Sequence, residues 1–106
     1  MSKEFSKNDK ILIAGANGLV GSAICRNLVL KGYSKILKPT KKQLNYLNNI
    51  EVQNWFNKNK PDIVIIAAAK VGGIYANLSQ PTEFILENIK IQINIIENSW
   101  QFGVKK

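Results

Sequence analysis

The stretch Lys10-Ile11-Leu12-Ile13-Ala14-Gly15-Ala16-Asn17-Gly18-Leu19-Val20-Gly21 decides the fold. Its first half is a short apolar run without alternation, ending on glycine, as in a strand buried on both faces. The second half carries three glycines in a G-x-x-G-x-x-G spacing and leads into a helix. That helix is expected from Gly18 to Lys31, with Val20, Ile24 and Leu28 on its packing face and Gly32 just past its end. In such a loop the first glycine makes the tight turn and the second lets a phosphate approach the backbone. The third allows helix and strand to pack closely, and a pyrophosphate sits on the helix N-terminus. A glycine triplet alone can be a merely structural turn. Here a buried strand precedes it and a helix with a small-residue start, Ser22-Ala23, follows it, which is the context a dinucleotide-binding loop requires.

Outward from this stretch, strands and helices alternate. Lys35 to Lys38 reads as a second strand stopped by Pro39, and Leu44 to Leu47 as a third. Asn49 to Lys58 is expected to be an amphipathic helix carrying Val52, Trp55 and Phe56, and Ile63 to Ala67 a β-branched buried strand after Pro61-Asp62. A glycine-containing loop over Lys70 to Asn77 then leads to one long helix from Pro81 to Phe102, ending at Gly103. The expected fold class is α/β: an incomplete Rossmann fold, a doubly wound parallel sheet of order 3-2-1-4, cut before strand five. A further strand is expected where Val104-Lys105-Lys106 stand. Residues 1–9 read as a disordered lead-in, and residues 10–106 as the N-terminal part of one domain. The last helix has two apolar stripes. Ile85, Leu86, Ile89, Ile93, Ile96 and Trp100 form one, and Phe84, Ile91, Ile95 and Phe102 the other. One stripe suffices to cover a sheet, so the second is expected to need a partner. The edge of the Ile63–Ala67 strand is expected to be bare as well.

The chemistry concentrates at the carboxyl ends of the strands, where open α/β sheets bind their ligands. About 20 residues beyond the glycine loop, an acid would read the ribose 2′-hydroxyl of NAD. This chain offers Lys38-Pro39-Thr40-Lys41-Lys42 there, cations and a hydroxyl without a carboxylate, which favours a 2′-phosphate and hence NADP. A solvated lysine run is the bland alternative. Ala67-Ala68-Ala69-Lys70-Val71-Gly72-Gly73 leaves room for a ligand at the end of its strand.

Composition narrows the classes. The 106 residues are 45% hydrophobic, with 15 Lys+Arg against 7 Asp+Glu, a net charge of +8. Arg26 is the one arginine and the lysines are scattered rather than clustered with aromatics, so a solvated surface is expected, not nucleic-acid binding. No acid stands between Asp9 and Glu51. Histidine is absent, which excludes imidazole metal sites and histidine acid/base chemistry. Cys25 is alone and inside a helix, expected to be core, in keeping with a reducing cytoplasm. No apolar run approaches the roughly 20 residues of a membrane span, and the polar start shows no secretory signal.

The run from Gly15 to Gly21, Leu44-Asn45-Tyr46-Leu47-Asn48, and above all Ala67 to Asn77 with Pro81, Phe84, Ile85 and Asn88, resembles the GDP-L-fucose synthase family. These are NADPH-dependent GDP-4-keto-6-deoxymannose epimerase/reductases of the extended short-chain dehydrogenase type. The resemblance covers the chain from Ile11 onward. It implies that Gly15, Asn17, Gly18, Leu19, Val20 and Gly21 hold the pyrophosphate, and that Lys38, Thr40, Lys41 and Lys42 lie on the 2′-phosphate side of NADP(H). It further implies that Asn48 lies by the adenine, and that Ala67, Ala68, Ala69 and Lys70 line the path to the nicotinamide. The family usually has arginines around Pro39 and Lys41 and an aspartate at Asn48. By the same resemblance, catalysis uses a serine and a Tyr-x-x-x-Lys pair. Tyr33, Tyr46 and Tyr75 are followed at the fourth position by Leu37, Ile50 and Ser79, so no such pair exists in this chain. The resemblance also suggests a homodimer through helix 81–102. The expectation is therefore the cofactor-binding half of a nucleotide-sugar epimerase/reductase, inactive alone. The rivals are a non-catalytic NADP-binding module, a piece of another nucleotide-sugar epimerase or dehydratase, and a basic nucleic-acid binder.

Overall fold

The computed structural model describes residues 6–67 and 82–106, with side chains in the last helix described from Leu86 onward. Three parallel strands form one sheet: β1 (Ile11–Ala14), β2 (Ile36–Leu37) and β3 (Ile63–Ile66), in the order β2-β1-β3. β1 is central, pairing Ile11 with both Ile36 and Ile63, and Ala14 with Ile66. Among the described residues, helices α1 (Leu19–Leu30), α2 (Asn49–Asn59) and α3 (Thr82–Gln101) complete the fold.

All four β1 side chains are buried, and their period of two sorts them between two cores. Leu12 and Ala14 face Leu44, Val52, Phe56 and Ile95, beneath α2 and α3. Ile11 and Ile13 face Cys25, with Ile24, Leu28 and Tyr33 packed against them, beneath α1. Helices thus cover both faces of a parallel sheet, the Rossmann arrangement, and the apolar run needs no polar side. Cys25 is a core residue.

Both α1 and α3 stop in the same way. Gly32 at φ +94 and Gly103 at φ +71 follow them in the left-handed region. Tyr33 N–H then donates to Leu28 C=O at 3.1 Å, and Val104 N–H to Ser99 C=O at 2.9 Å, the six-to-one bonds of a Schellman motif. Past this turn the chain rejoins the sheet. Lys105 N–H donates to Asp62 C=O at 2.8 Å, and Val64 N–H to Lys106 C=O at 2.7 Å, so the last residues lie along the outer edge of β3. The start of that edge is paired, not bare. Ser6 to Asp9, read from the sequence as lead-in, close a turn in which the buried Asp9 carboxylate accepts from Ser6 N–H and from Lys105 Nζ, each at 2.8 Å. Chiefly Lys105, and next Ser6, hold this carboxyl below its ordinary range.

Three further expectations are corrected. Leu44 to Leu47 is not a strand. Asn45 Oδ1 accepts from Leu47 N–H at 3.1 Å and Asn45 C=O from Asn48 N–H at 3.0 Å. These local bonds turn the chain and drop Leu44 into the core. Val20 is 63% exposed rather than packed. The packing face of α1 is centred instead on Gly21 and Cys25, because Gly21 lies hard against the loop. The two stripes of α3 are exchanged. Ile91, Ile95 and Phe102 pack on the sheet, whereas Leu86, Ile89, Ile93, Ile96 and Trp100 are exposed. Phe56 decides between them, since its ring meets that of Phe102 at 6.3 Å and fixes the phase of the helix. Phe84 and Ile85 lie outside the described side chains.

Candidate functional site

The carboxyl ends of β1 and β3 open onto a cleft of about 720 Å³, within the range of small-molecule sites. Its floor is the glycine loop. Gly15 turns the chain at φ +85, a conformation that favours glycine, and its C=O accepts from Gly18 N–H at 3.1 Å. Gly18 is the N-cap of α1 and has no side chain with which to cap it. The amides of the first turn therefore face the cleft without a side-chain acceptor, and the helix dipole adds its positive end. Gly15, Asn17, Gly18, Leu19 and Val20 line the cleft. Gly21 lies beneath it, buried against the loop backbone. The fit to a pyrophosphate is direct: unfilled donors, positive potential, and no Cβ at the point of approach.

The second wall is the turn after β2. Thr40 Oγ1 accepts from Gln43 N–H at 3.3 Å while Gln43 Oε1 accepts from Thr40 N–H at 2.9 Å, a reciprocal clasp like a capping box. Within this turn Thr40 and Lys41 reach the cleft, together with Pro39. Lys42 does not, since adjacent residues of a helical turn diverge by about 100°. Lys38 lines a separate cavity of about 420 Å³ with Cys25, Tyr33 and Ser34, under the other face of the sheet. The four residues expected on the 2′-phosphate side are thus two at the cleft and two away from it.

The third wall joins Leu44 to Leu47 with α3. Asn94 Nδ2 donates to Tyr46 C=O at 2.8 Å, and the buried Asn98 donates to Asn49 Oδ1 at 3.1 Å. These bonds clip the 46–49 segment to α3. Further toward the start of the same helix, Glu87, Asn88 and Ile91 line the cleft. Tyr46 lines it too, yet its hydroxyl is buried without a hydrogen-bond partner among the described residues, and burial pushes its pKa up to about 12. Asn48 serves α2. Its Oδ1 accepts from Ile50 and Glu51 N–H at 3.1 and 3.2 Å, and it is not part of the cleft lining. Ala67 does line the cleft, its N–H donating to Ala14 C=O at 2.7 Å. Ala68, Ala69 and Lys70 lie outside the described residues.

Sequence reasoning missed Asn45, Tyr46 and Leu47, and Glu87, Asn88 and Ile91, as cleft walls. The first were hidden by the strand reading. The second could have been found from the row Glu87, Ile91, Asn94, Asn98, whose spacings of three and four place it on one helix face.

The family model for the NAD dependent epimerase/dehydratase family matches residues 11–106. The chain is 43% identical to GDP-L-fucose synthase 1 of Arabidopsis thaliana over 106 residues, covering 100% of this chain and 33% of that protein. It is 42% identical to the GDP-L-fucose synthase of Escherichia coli (strain K12), covering 92% of this chain and 30% of that one. Among solved structures, a GDP-mannoheptose C4 reductase from Campylobacter jejuni with NADP bound superposes with a TM-score of 0.86 at 36% identity, over 96% of this chain and 32% of that one. A GDP-L-fucose synthetase from Naegleria fowleri bound to NADP gives 0.79 at 28% identity, over 98% of this chain and 34% of that chain. The chain therefore spans about a third of the length of these relatives. With the match running from the first core strand to the last residue, the chain belongs to the NAD dependent epimerase/dehydratase family.

Proposed function

We propose that this chain is the cofactor-binding part of an NADPH-dependent GDP-sugar epimerase/reductase, with GDP-4-keto-6-deoxy-D-mannose as substrate and GDP-L-fucose as product. One observation carries the reading: the uncapped first turn of α1, floored by Gly15 and Gly18, opens on a cleft in which Lys41 is the single cation among the described lining residues. The loop amides hold the pyrophosphate, Thr40 and Lys41 the 2′-phosphate, and Ala67 borders the path to the nicotinamide. When bound, NADPH supplies hydride to the sugar ketone. The serine and Tyr-x-x-x-Lys pair that would handle the proton are not among these 106 residues, so the chain alone binds without turning over. Relatives that make GDP-L-fucose or reduce GDP-sugars support the substrate class.

Titration with NADPH, followed by quenching of Trp55 and Trp100 fluorescence or by calorimetry, tests the reading. Saturable binding is expected, and Gly18→Val should abolish it while the fold persists, because the new methyls occupy the phosphate approach. Equal curves for parent and variant would defeat the proposal.

The partner is a second copy of the chain, through α3, in the cytoplasm. Leu86, Ile89, Ile93, Ile96 and Trp100 are exposed at spacings of 3, 4, 3 and 4, the seam of a helix–helix contact. Burying such side chains gains roughly 1.5–3 kcal/mol each. Light scattering should show a dimer, and Ile93→Lys with Ile96→Lys should return it to a monomer. A parent that is monomeric throughout the concentration series overturns this assignment. No helix among the described residues is long and apolar enough to cross a membrane.

A further inference from the structure

Residues 6–9 form a turn at the amino ends of the strands, the end of the sheet opposite the cleft. The turn is closed from within. Asp9 N–H donates to Ser6 C=O at 3.0 Å, Ser6 N–H to Asp9 Oδ2 at 2.8 Å, and Asn8 N–H to Ser6 Oγ at 3.1 Å. It is also anchored on both flanks. On one, Lys7 Nζ donates to Lys31 C=O at the end of α1 and stands 4.6 Å over the ring of Tyr33. On the other, Asp9 Oδ1 accepts from Lys105 Nζ at 2.8 Å, from the far end of the chain. Asp9 is 6% exposed, so this pair is screened less than a surface pair.

Lys105 belongs to the segment that covers the start of the β3 edge, through Lys105 N–H to Asp62 C=O and Val64 N–H to Lys106 C=O. A pairing this short opens readily unless a side chain holds it. We propose that the 6–9 turn is a latch: its Asp9 carboxylate keeps residues 104–106 paired to β3, and its neutralisation by acid releases them. The charged groups around Asp9 are Lys105 of that segment, Lys10 at the start of β1 and Asp62 at the start of β3. Asp62 accepts from Lys10 N–H at 2.9 Å and adds its attraction to Lys105. Lys7, in the same turn, is engaged with α1. Because Lys105 and then Ser6 hold the Asp9 carboxyl below its ordinary value, the latch is closed at neutral pH. It opens as the pH falls through that lowered value, below about 4. Opening leaves Asp62 C=O and Val64 N–H as unpaired groups on a sheet edge.

Amide hydrogen exchange followed by NMR tests the latch bond by bond. Asp9→Asn keeps an acceptor for Ser6 N–H and loses the charge. At neutral pH it should lower the protection of the Val64 and Lys105 amides roughly three- to ten-fold. The Ala67 amide, bonded to Ala14 C=O on the inner side of β3, should change by less than about two-fold. A loss shared equally by Ala67 would mean that Asp9 adds only to global stability, and overturns the latch. So does the absence of any loss at Val64 and Lys105. The parent chain supplies a second test that needs no variant. From about pH 7 to about pH 3, protection of Val64 and Lys105, corrected for intrinsic exchange, should fall along the titration of the Asp9 carboxyl carbon. A loss that follows the Asp62 carboxyl instead, or none over this range, overturns the proposal.

Discussion

Gly21→Ala is expected to cost the fold about 3 kcal/mol or more, a large share of the roughly 5–15 kcal/mol that holds a domain together. A Cβ on Gly21 would lie 2.1 Å from the carbonyl oxygen of Gly15, 2.8 Å from its carbonyl carbon and 2.9 Å from Cα of Ala16. All three are backbone atoms, so no rotamer can relieve the clash. Nor can the loop retreat cheaply. Gly15 C=O accepts from Gly18 N–H, and Ala14 C=O, one residue earlier, holds Ala67 N–H in the sheet. Moving either strains the floor of the cleft or the pairing of β1 with β3. Gly18→Ala is the control. Its Cβ would meet Gly15 C=O at 3.4 Å, ordinary contact, from a backbone at φ −76. A change within about 1 kcal/mol is expected there. Urea denaturation followed by circular dichroism compares the midpoints. Equal midpoints for the two alanine variants would show that the loop yields where the packing says it cannot.

Lys41→Glu should lower the NADP-over-NAD affinity ratio by roughly ten- to a hundred-fold, whereas Lys42→Glu should change it by no more than about two- to three-fold. The two lysines are neighbours with the same charge, so a diffuse field acts on them nearly alike. A contact does not. Lys41 lines the cleft beside Thr40, held by the Thr40–Gln43 clasp, and Lys42 is not part of that lining. Reversal at Lys41 removes an attraction to the 2′-phosphate and adds a repulsion, while NAD, with a hydroxyl there, is little affected. Added salt should shrink the Lys42→Glu effect first, since exposed charges are screened over a Debye length of about 10 Å at 0.1 M. Equal shifts from the two variants would mean that the preference belongs to the net positive surface and not to a built contact.

Much of this could be read from the sequence because it is local chemistry. The unbroken apolar run Ile11–Ala14 has one stable place, the middle of a parallel sheet, and the three glycines at their spacing have one use between strand and helix. The stops at Gly32 and Gly103 are equally local, since glycine takes the left-handed conformation without steric cost. What tertiary structure decided is which of two locally equivalent choices wins. α3 has two apolar stripes of similar weight, and only the rings of Phe56 and Phe102, brought together by the sheet, show which one turns inward. Leu44 to Leu47 has the residues of a strand, yet the side chain of Asn45 and the bond from Asn94 hold it as a turn that buries Leu44. Lys41 and Lys42 are alike in sequence and are separated by the phase of a single turn. Glu87 has no motif around it. It becomes a cleft residue because α3 crosses the end of the sheet there, a long-range contact whose entropy cost the core repays and which no short window of sequence records.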